Sequence, residues 1–171
     1  MSGHIRAATP EDAAACAAIY APYVTDTVIS FETEPPTTDE MAARIASSHA
    51  WFVYEDEGAV AGYAYAGTFH PRAAYRWATE VSVYLELRRR RTGAGRALYD
   101  VLLPHLTERG FRMAIAGMTL PNPASEGLHA ALGFEPVGTY RHIGYKFGAW
   151  HDVAWTQRVL ARGEDPPEEP A

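Results

Sequence analysis

The sequence predicts a mixed α/β fold, and three observations carry that prediction. Apolar residues alternate with period two in some stretches and recur with a helical period in others, and the two kinds of stretch are interleaved. The stretch from Glu80 to Gly110 contains both, joined by a basic, glycine-containing loop. The last third closes on two long strand-like runs, Phe134 to Phe147 and Trp150 to Val159. The chain has 171 residues, 47% of them hydrophobic, enough for one domain with a sizeable core.

Taken in order, His4 to Ala8 is a short strand. Thr9-Pro10-Glu11-Asp12 starts a helix, with Thr9 as cap and Pro10 at the first position, and this helix runs to about Tyr20. Val28 to Phe31 is either a short strand or an extended loop. After Glu34-Pro35-Pro36, Thr37-Thr38-Asp39-Glu40 opens a second helix through Ser47. Trp51 to Glu55 and Val60 to Gly67 form a hairpin around Asp56-Glu57-Gly58. A polar, aromatic loop, Phe69 to Arg76, leads into the central strand.

In that strand Val81, Val83 and Leu85 share one face, while Glu80, Ser82 and Tyr84 share the other. A helix from about Arg96 to Arg109 follows, with Ala94, Ala97, Leu98, Val101, Leu102 and Leu106 on its apolar stripe and Gly110 as the stop. Pro104 predicts a bend within it. Met113 to Met118 is another strand. Asn122 caps a short helix that has Pro123 first, a core stripe of Leu128, Ala131 and Leu132, and Gly133 at its end. The final two strands meet at Gly148-Ala149, a pair suited to a tight hairpin. Residues 1–160 read as one domain, and residues 161–171, acidic and proline-rich, as a disordered tail.

Composition narrows the function. The formal net charge is -6, whereas a protein that coats nucleic acid leans basic, so the arginines at 88–91 belong to a local site. No stretch has the apolar length of a membrane span, and the N-terminus lacks a signal peptide's apolar region. The single Cys16 lies among alanines, excludes an internal disulfide framework and fits a reducing cytoplasm. No His/Cys/Asp spacing suggests a metal site.

The loop Arg90-Arg91-Thr92-Gly93-Ala94-Gly95 enters a helix N-terminus, where unpaired N–H groups and the positive end of the helix dipole bind phosphate oxygens. Gly93 and Gly95 let backbone approach an anion. A P-loop would need Lys-Ser/Thr after Gly95, where Arg96-Ala97 stands, and a Rossmann fingerprint would need glycine at Leu98. A tight turn with solvated arginines is the bland alternative. The hexapeptide resembles the acyl-CoA signature of the GCN5-related N-acetyltransferases (GNAT). That resemblance implies their fold, a central, mostly antiparallel sheet with helices on both faces, in which the central strand and the next splay apart to admit a pantetheine arm.

Four further stretches narrow the resemblance: Phe31-Glu32-Thr33-Glu34-Pro35, Ala61 to Gly67, Ala74 to Glu80, and Gly148 to Val153. Together they look like the phosphinothricin N-acetyltransferase family, whose members acetylate the α-amino group of phosphinothricin, while related enzymes act on methionine sulfoximine or methionine sulfone. The resemblance implies acetyl-CoA as co-substrate, no metal, a small amino-acid partner and a homodimer. It places the backbone of Val83, Tyr84 and Leu85 on the pantetheine, and Arg90, Arg91, Thr92, Gly93, Ala94, Gly95 and Arg96 around the pyrophosphate. Asn122 completes that site. Phe31, Arg72 and Tyr75 match positions lining the amino-acid pocket, although packing explains the two aromatics and a surface position explains Arg72 equally simply.

The chemistry requires a proton acceptor, because an amine at neutral pH is largely protonated and cannot attack a thioester. The resemblance puts the catalytic carboxylate at Glu80; an ion pair with an arginine such as Arg76 is the alternative. His129 is the second catalytic candidate. It follows Ser125 by one helical turn and lies opposite the Leu128/Leu132 stripe, facing either a cleft or solvent. Acetyltransferases at large carry tyrosine there, and His70 stands where the narrower family carries lysine. A catalytically silent acetyl-CoA-binding sensor, or an enzyme for another small amine, are the competing functions.

Overall fold

The computed structural model describes residues 3–89, 92–163 and 168–171. Its strands and α-helices follow the expected order: β1 (His4–Ala7), α1 (Ala13–Thr25), α2 (Thr38–Ser47), β2 (Ala50–Asp56), β3 (Ala59–Thr68), β4 (Ala78–Leu85), α3 (Ala94–Glu108), β5 (Met113–Thr119), α4 (Pro123–Ala131), β6 (Glu135–Lys146) and β7 (Ala149–Val159). The strands form one mixed sheet in the order β1-β2-β3-β4-β5-β7-β6. Only β4 and β5 are parallel; every other pair is antiparallel.

Local chemistry explains most boundaries and several departures. Thr37 caps α2: its hydroxyl accepts from the Glu40 N–H at 3.2 Å, and the Glu40 carboxylate accepts from the Thr37 N–H at 2.7 Å. Asn122 caps α4 as expected, its Oδ1 accepting from the Ser125 N–H at 3.2 Å. Pro10–Asp12 forms a separate 3₁₀ turn before α1. α1 does not stop near Tyr20 but continues through Pro22 to Thr25, because Tyr23 and Val24 are buried and their packing outweighs the one missing N–H. Residues 28–31 form no strand.

The hairpin turns also differ in detail. The β6–β7 turn is Phe147-Gly148 rather than Gly148-Ala149, with φ of 52° and 76°, and Lys146 faces Ala149. Two successive positive φ values make a mirror-image tight turn, which favours glycine second. Glu57-Gly58 turns β2 into β3 in the same way, with φ of 53° and 79°. The buried face of α3 is rotated from the predicted stripe. Gly95, Tyr99 and Leu103 lie inside with Leu98, Leu102 and Leu106, whereas Val101 is exposed. On α4, Ala131 is exposed and His129 is buried instead.

Two cores sandwich the sheet. On one face α3 packs across β1 to β4, where Leu98, Leu102, Leu106 and Phe111 meet Val81, Ala114 and Ala116. On the other face α1 and α2 lie over the first strands, where Cys16, Tyr20, Tyr23 and Met41 meet Trp51, Val53 and Tyr63. Burial pushes the Cys16 thiol up to about 12, so Cys16 is an inert packing residue. Among residues 161–171, the described ones carry no regular secondary structure; the Trp77 indole N–H donates to the Glu168 carbonyl at 2.7 Å.

A polar tie fastens α1 to the sheet edge. The Arg6 guanidinium grips Asp12 through two nitrogens at 2.7 and 2.8 Å and reaches Glu55 at 2.7 Å. The Arg6 guanidinium holds the buried Asp12 carboxyl below its usual range. A depressed folded pKa stabilises above the unfolded value and loses that effect as pH falls through the folded value. Asp12→Asn is therefore expected to cost about 1–3 kcal/mol at neutral pH. Urea unfolding of both proteins should show the difference shrinking on acidification; a difference that persists into acid would assign the cost to packing.

Candidate active site

The site begins where two strands part. β4 pairs with β5 only from Ala78 to Glu80, opposite Met113 to Ile115. Beyond that point β4 remains bonded to β3 alone, and β5 to β7 alone. The gap opens into a cleft of about 800 Å³, walled by Val81 to Leu85 on one side and by Gly117, Met118, Asn122, Ser125, Leu128 and His129 on the other. Antiparallel pairing decides which backbone groups face it. The Glu86 N–H donates to the Ala61 carbonyl, so Glu86 and every second residue before it turn both backbone groups toward β3. Val83 and Leu85 consequently turn theirs into the gap. Tyr84, expected to offer backbone there, spends it on β3, and its ring lines the cleft instead. The Leu85 carbonyl already accepts from the Tyr23 hydroxyl at 2.6 Å.

The N-terminus of α3 forms one end of the cleft. Gly93 is its cap, with φ 83°, a left-handed conformation that favours glycine. Gly93, Gly95 and Arg96 line the cleft, and the N–H groups of Gly95 and Arg96 have no partner among the described residues. Ala94 is buried beneath, and the Thr92 hydroxyl donates to the Arg89 carbonyl at 3.0 Å. Arg89 is engaged with Asp56 and Glu86, while Arg96 makes only an exposed contact with Asp100 at 3.7 Å. The expected contributions of Arg90 and Arg91 lie outside the described residues.

Of the two expected settings, cleft or solvent, His129 takes the cleft wall: it is 4% exposed, and both ring nitrogens are engaged. Nδ1 lies 2.8 Å from the Ser125 carbonyl oxygen, which can only accept, so Nδ1 carries the proton. Nε2 then accepts from the Tyr99 hydroxyl at 3.2 Å. Burial lowers the His129 pKa, keeping the ring neutral, although the Ser125 bond opposes it. Tyr99 also lines the cleft, and burial raises its pKa far above the ordinary value. Sequence reasoning missed Tyr99. Its position one turn after Gly95 was the available signal, because i and i+4 share a helix face.

Glu80 does not line the cleft but sits directly before the residues that do, on the face of Ser82 and Tyr84. Its carboxylate has no hydrogen bond or ion pair among the described residues, and burial raises its pKa. Arg76 does not pair with it; its guanidinium reaches Glu169. Opposite Glu80 in register is Ile115, which lines a second hollow of about 540 Å³ with Phe69, Tyr140, Trp155 and Gln157. Tyr75 packs against His70 and Phe69 at ring separations of 4.7 and 5.8 Å, beside that hollow. Phe31 and Tyr75 are 38% and 44% exposed, so neither is core, and neither lines the main cleft. The Arg72 side chain is exposed and unpaired among the described residues.

Comparison with known proteins agrees with this geometry. Residues 5–155 match the family described as an acetyltransferase (GNAT) domain. The chain is 43% identical over 157 residues to a phosphinothricin N-acetyltransferase of Streptomyces viridochromogenes, covering 90% of this chain and 86% of that one. It is 31% identical over 172 residues to an L-methionine sulfoximine/L-methionine sulfone acetyltransferase of Pseudomonas aeruginosa, covering 94% and 96%. The crystal structure of a phosphinothricin acetyltransferase from Sinorhizobium meliloti, solved with acetyl-CoA, superposes with a TM-score of 0.92 at 39% identity, covering 100% of this chain and 94% of that one.

The ring of His129 gives a direct check on the site. Nitrogen-edited NMR of the histidines should show His129 as the neutral tautomer protonated at Nδ1, titrating below the ordinary value of about 6.5. A ring that becomes cationic at or above that value would remove the Tyr99-to-Nε2 hydrogen bond from the resting site.

Proposed function

Because the chain belongs to the GNAT acetyltransferase family, we propose that it transfers the acetyl group of acetyl-CoA to the α-amino group of a small amino acid of the phosphinothricin or methionine sulfoximine/sulfone type. The observation that carries this reading is the parting of β4 from β5 immediately beyond Glu80, with the open N-terminus of α3 at the end of the gap. The pantetheine lies along Val83 and Leu85 in place of the missing strand, with the Leu85 carbonyl already held by the Tyr23 hydroxyl. The pyrophosphate sits on the N–H groups of Gly95 and Arg96, with Thr92 beside it and Asn122 across the cleft; Arg90 and Arg91, which the resemblance assigns to it, lie outside the described residues. The names of the relatives support the acceptor class.

In this reading Glu80 is the base. A carboxylate without a partner, made more basic by burial, accepts the amine proton directly or through one water. His129 cannot meet the amine itself, since its one lone pair is engaged by Tyr99 and its one proton by Ser125. N–H groups in the gap stabilise the thioester oxygen as it becomes negative. Tyr99 and His129 act as one unit on the wall where the sulfur departs. The acceptor's side chain extends over the hollow beside Ile115 and Trp155, which Tyr75 adjoins through Phe69, and the family resemblance adds Phe31 and Arg72 to its contacts.

The reading is tested by thiol release from acetyl-CoA against amino acids including phosphinothricin, methionine sulfoximine and methionine sulfone. Turnover with none of them would leave a silent acetyl-CoA binder. We place residues 1–160 in one catalytic domain, with residues 161–171 appended, and the protein in the cytoplasm.

We also propose a homodimer. Along β6 and its turn, Tyr140, Ile143, Tyr145 and Phe147 are 56–61% exposed, an apolar edge that a second copy would cover. Sedimentation should show a dimer that Tyr145→Glu dissociates; a monomeric parent protein would overturn this.

Glu80→Gln should lower kcat by about 10²–10⁴ and leave acetyl-CoA affinity nearly unchanged. It should also remove the acidic limb of the kcat/KM profile, a limb placed above the ordinary glutamate value because burial raises the Glu80 pKa. Tyr99→Phe and His129→Ala should leave that limb in place. Because the two act together, their kcat losses should be similar and the double variant no worse than either. An acidic limb lost with His129 instead would make histidine the base.

A further inference from the structure

Lys146, at the end of β6, is a buried charge with no role in the reaction described above. It is 7% exposed, and its ammonium donates to the carbonyls of Val24 at 2.7 Å and Ser30 at 2.6 Å. Burying an ammonium costs free energy unless its protons are satisfied, so these two carbonyls are fixed where the lysine needs them. They belong to the end of α1 and to the loop that follows.

That loop is pinned from its other side too. The Ser30 hydroxyl lies 2.7 Å from the Tyr20 hydroxyl, and the Tyr20 hydroxyl donates to Glu32 at 2.9 Å. Arg44 holds Glu32 through two hydrogen bonds, at 2.8 and 3.0 Å. Ser30 and Glu32 are thus both clamped, and the residue between them is the exposed Phe31. An exposed aromatic ring with immobilised backbone on both sides is built for contact with something outside the core. Two residues earlier, Ile29 lines the cleft beside Tyr84, on the sheet face that Glu80 shares.

Gly144 receives the Phe31 ring. A Cβ on Gly144 would lie 2.2 Å from the Phe31 Cε2 and 2.5 Å from its Cζ, so the ring occupies the space a side chain would need. His151, paired with Gly144 across the hairpin, bonds through Nε2 to the Lys146 carbonyl at 2.9 Å, and its ring lies 6.2 Å from that of Phe31. The lysine, the glycine and the histidine of one hairpin together set the position of one ring on another loop.

We propose that Lys146 is a positioning residue for acceptor recognition: it ties the loop after α1 to the β6–β7 hairpin and thereby holds Phe31 over Gly144, where the ring meets the acceptor amino acid. This rests on the reading that the acceptor enters on the Glu80 face beside Phe31.

Steady-state kinetics of Lys146→Met, Gly144→Ala and Phe31→Ala, singly and combined, provide the test. Methionine keeps the apolar stem but has no donors, and alanine at 144 displaces the ring without touching the lysine. Each should raise the acceptor KM by about tenfold through loss or displacement of the one aromatic contact. The acetyl-CoA KM should stay within about twofold, since nothing at the α3 end of the cleft changes. In the Phe31→Ala background neither second substitution should raise the acceptor KM further. A raised KM in Phe31→Ala with normal values in the other two would overturn the positioning role and leave the acceptor site standing. Normal values in all three would overturn both. Additive losses would overturn the proposal by showing that Lys146 acts elsewhere. If Lys146→Met does not fold, Gly144→Ala alone and combined with Phe31→Ala decides the matter by the same criteria.

Discussion

The structure depends on a pairing that stops. Strands β4 and β5 are hydrogen-bonded for three residues and then separate, leaving backbone groups of Val83 and Leu85 without a strand to bond. Unpaired backbone at the centre of a sheet is costly unless something else satisfies it. A ligand carrying amide groups is the natural substitute, and the separation creates its slot. The same divergence brings the start of α3 to one end of the slot and leaves Glu80, the last paired residue, at the other. The open helix N-terminus, slot and carboxylate are aligned because all three derive from one short run of chain.

Burial divides the two titratable candidates. Glu80 and His129 are both withdrawn from water, and withdrawal moves them oppositely: the acid becomes harder to ionise and the imidazole harder to protonate. The carboxylate thereby becomes a better base. The histidine becomes a fixed dipole, its orientation set by the Ser125 carbonyl and the Tyr99 hydroxyl. The first and second catalytic candidates of the sequence are thus distinguished by what each touches.

The order of elements was legible in the sequence because strands and helices here have clean periods and conventional caps. Asn122 and Thr37 marked their helices, and the glycine loop marked the start of α3. What sequence could not supply was rotation and reach. The stripe on α3 was misplaced because Ala97 and Val101 are as apolar as the residues that pack, and only the sheet beneath decides among them. Tyr99 was overlooked for the same reason. The choice between cleft and solvent for His129 was not legible because Tyr99, one of its two partners, lies on another helix. Lys146 gave no signal at all: a lysine near a turn ordinarily points to water, and its two carbonyl partners are more than a hundred residues away in sequence.

The wall that receives the cofactor is made largely of main chain: strand amides, glycines and the first turn of a helix. Its chemistry belongs to the path of the backbone, and most substitutions leave that path unchanged. The acceptor side proposed above is made of side chains, with Phe31, Arg72, Tyr75 and Trp155 drawn from three separate segments. Such a scaffold lets one half drift while the other stays still. New amines can be accommodated by exchanging single residues on surface loops, with no loss of grip on the acyl donor. A shared backbone frame with a replaceable side-chain rim gives a physical basis for one fold serving relatives named for different amino acids.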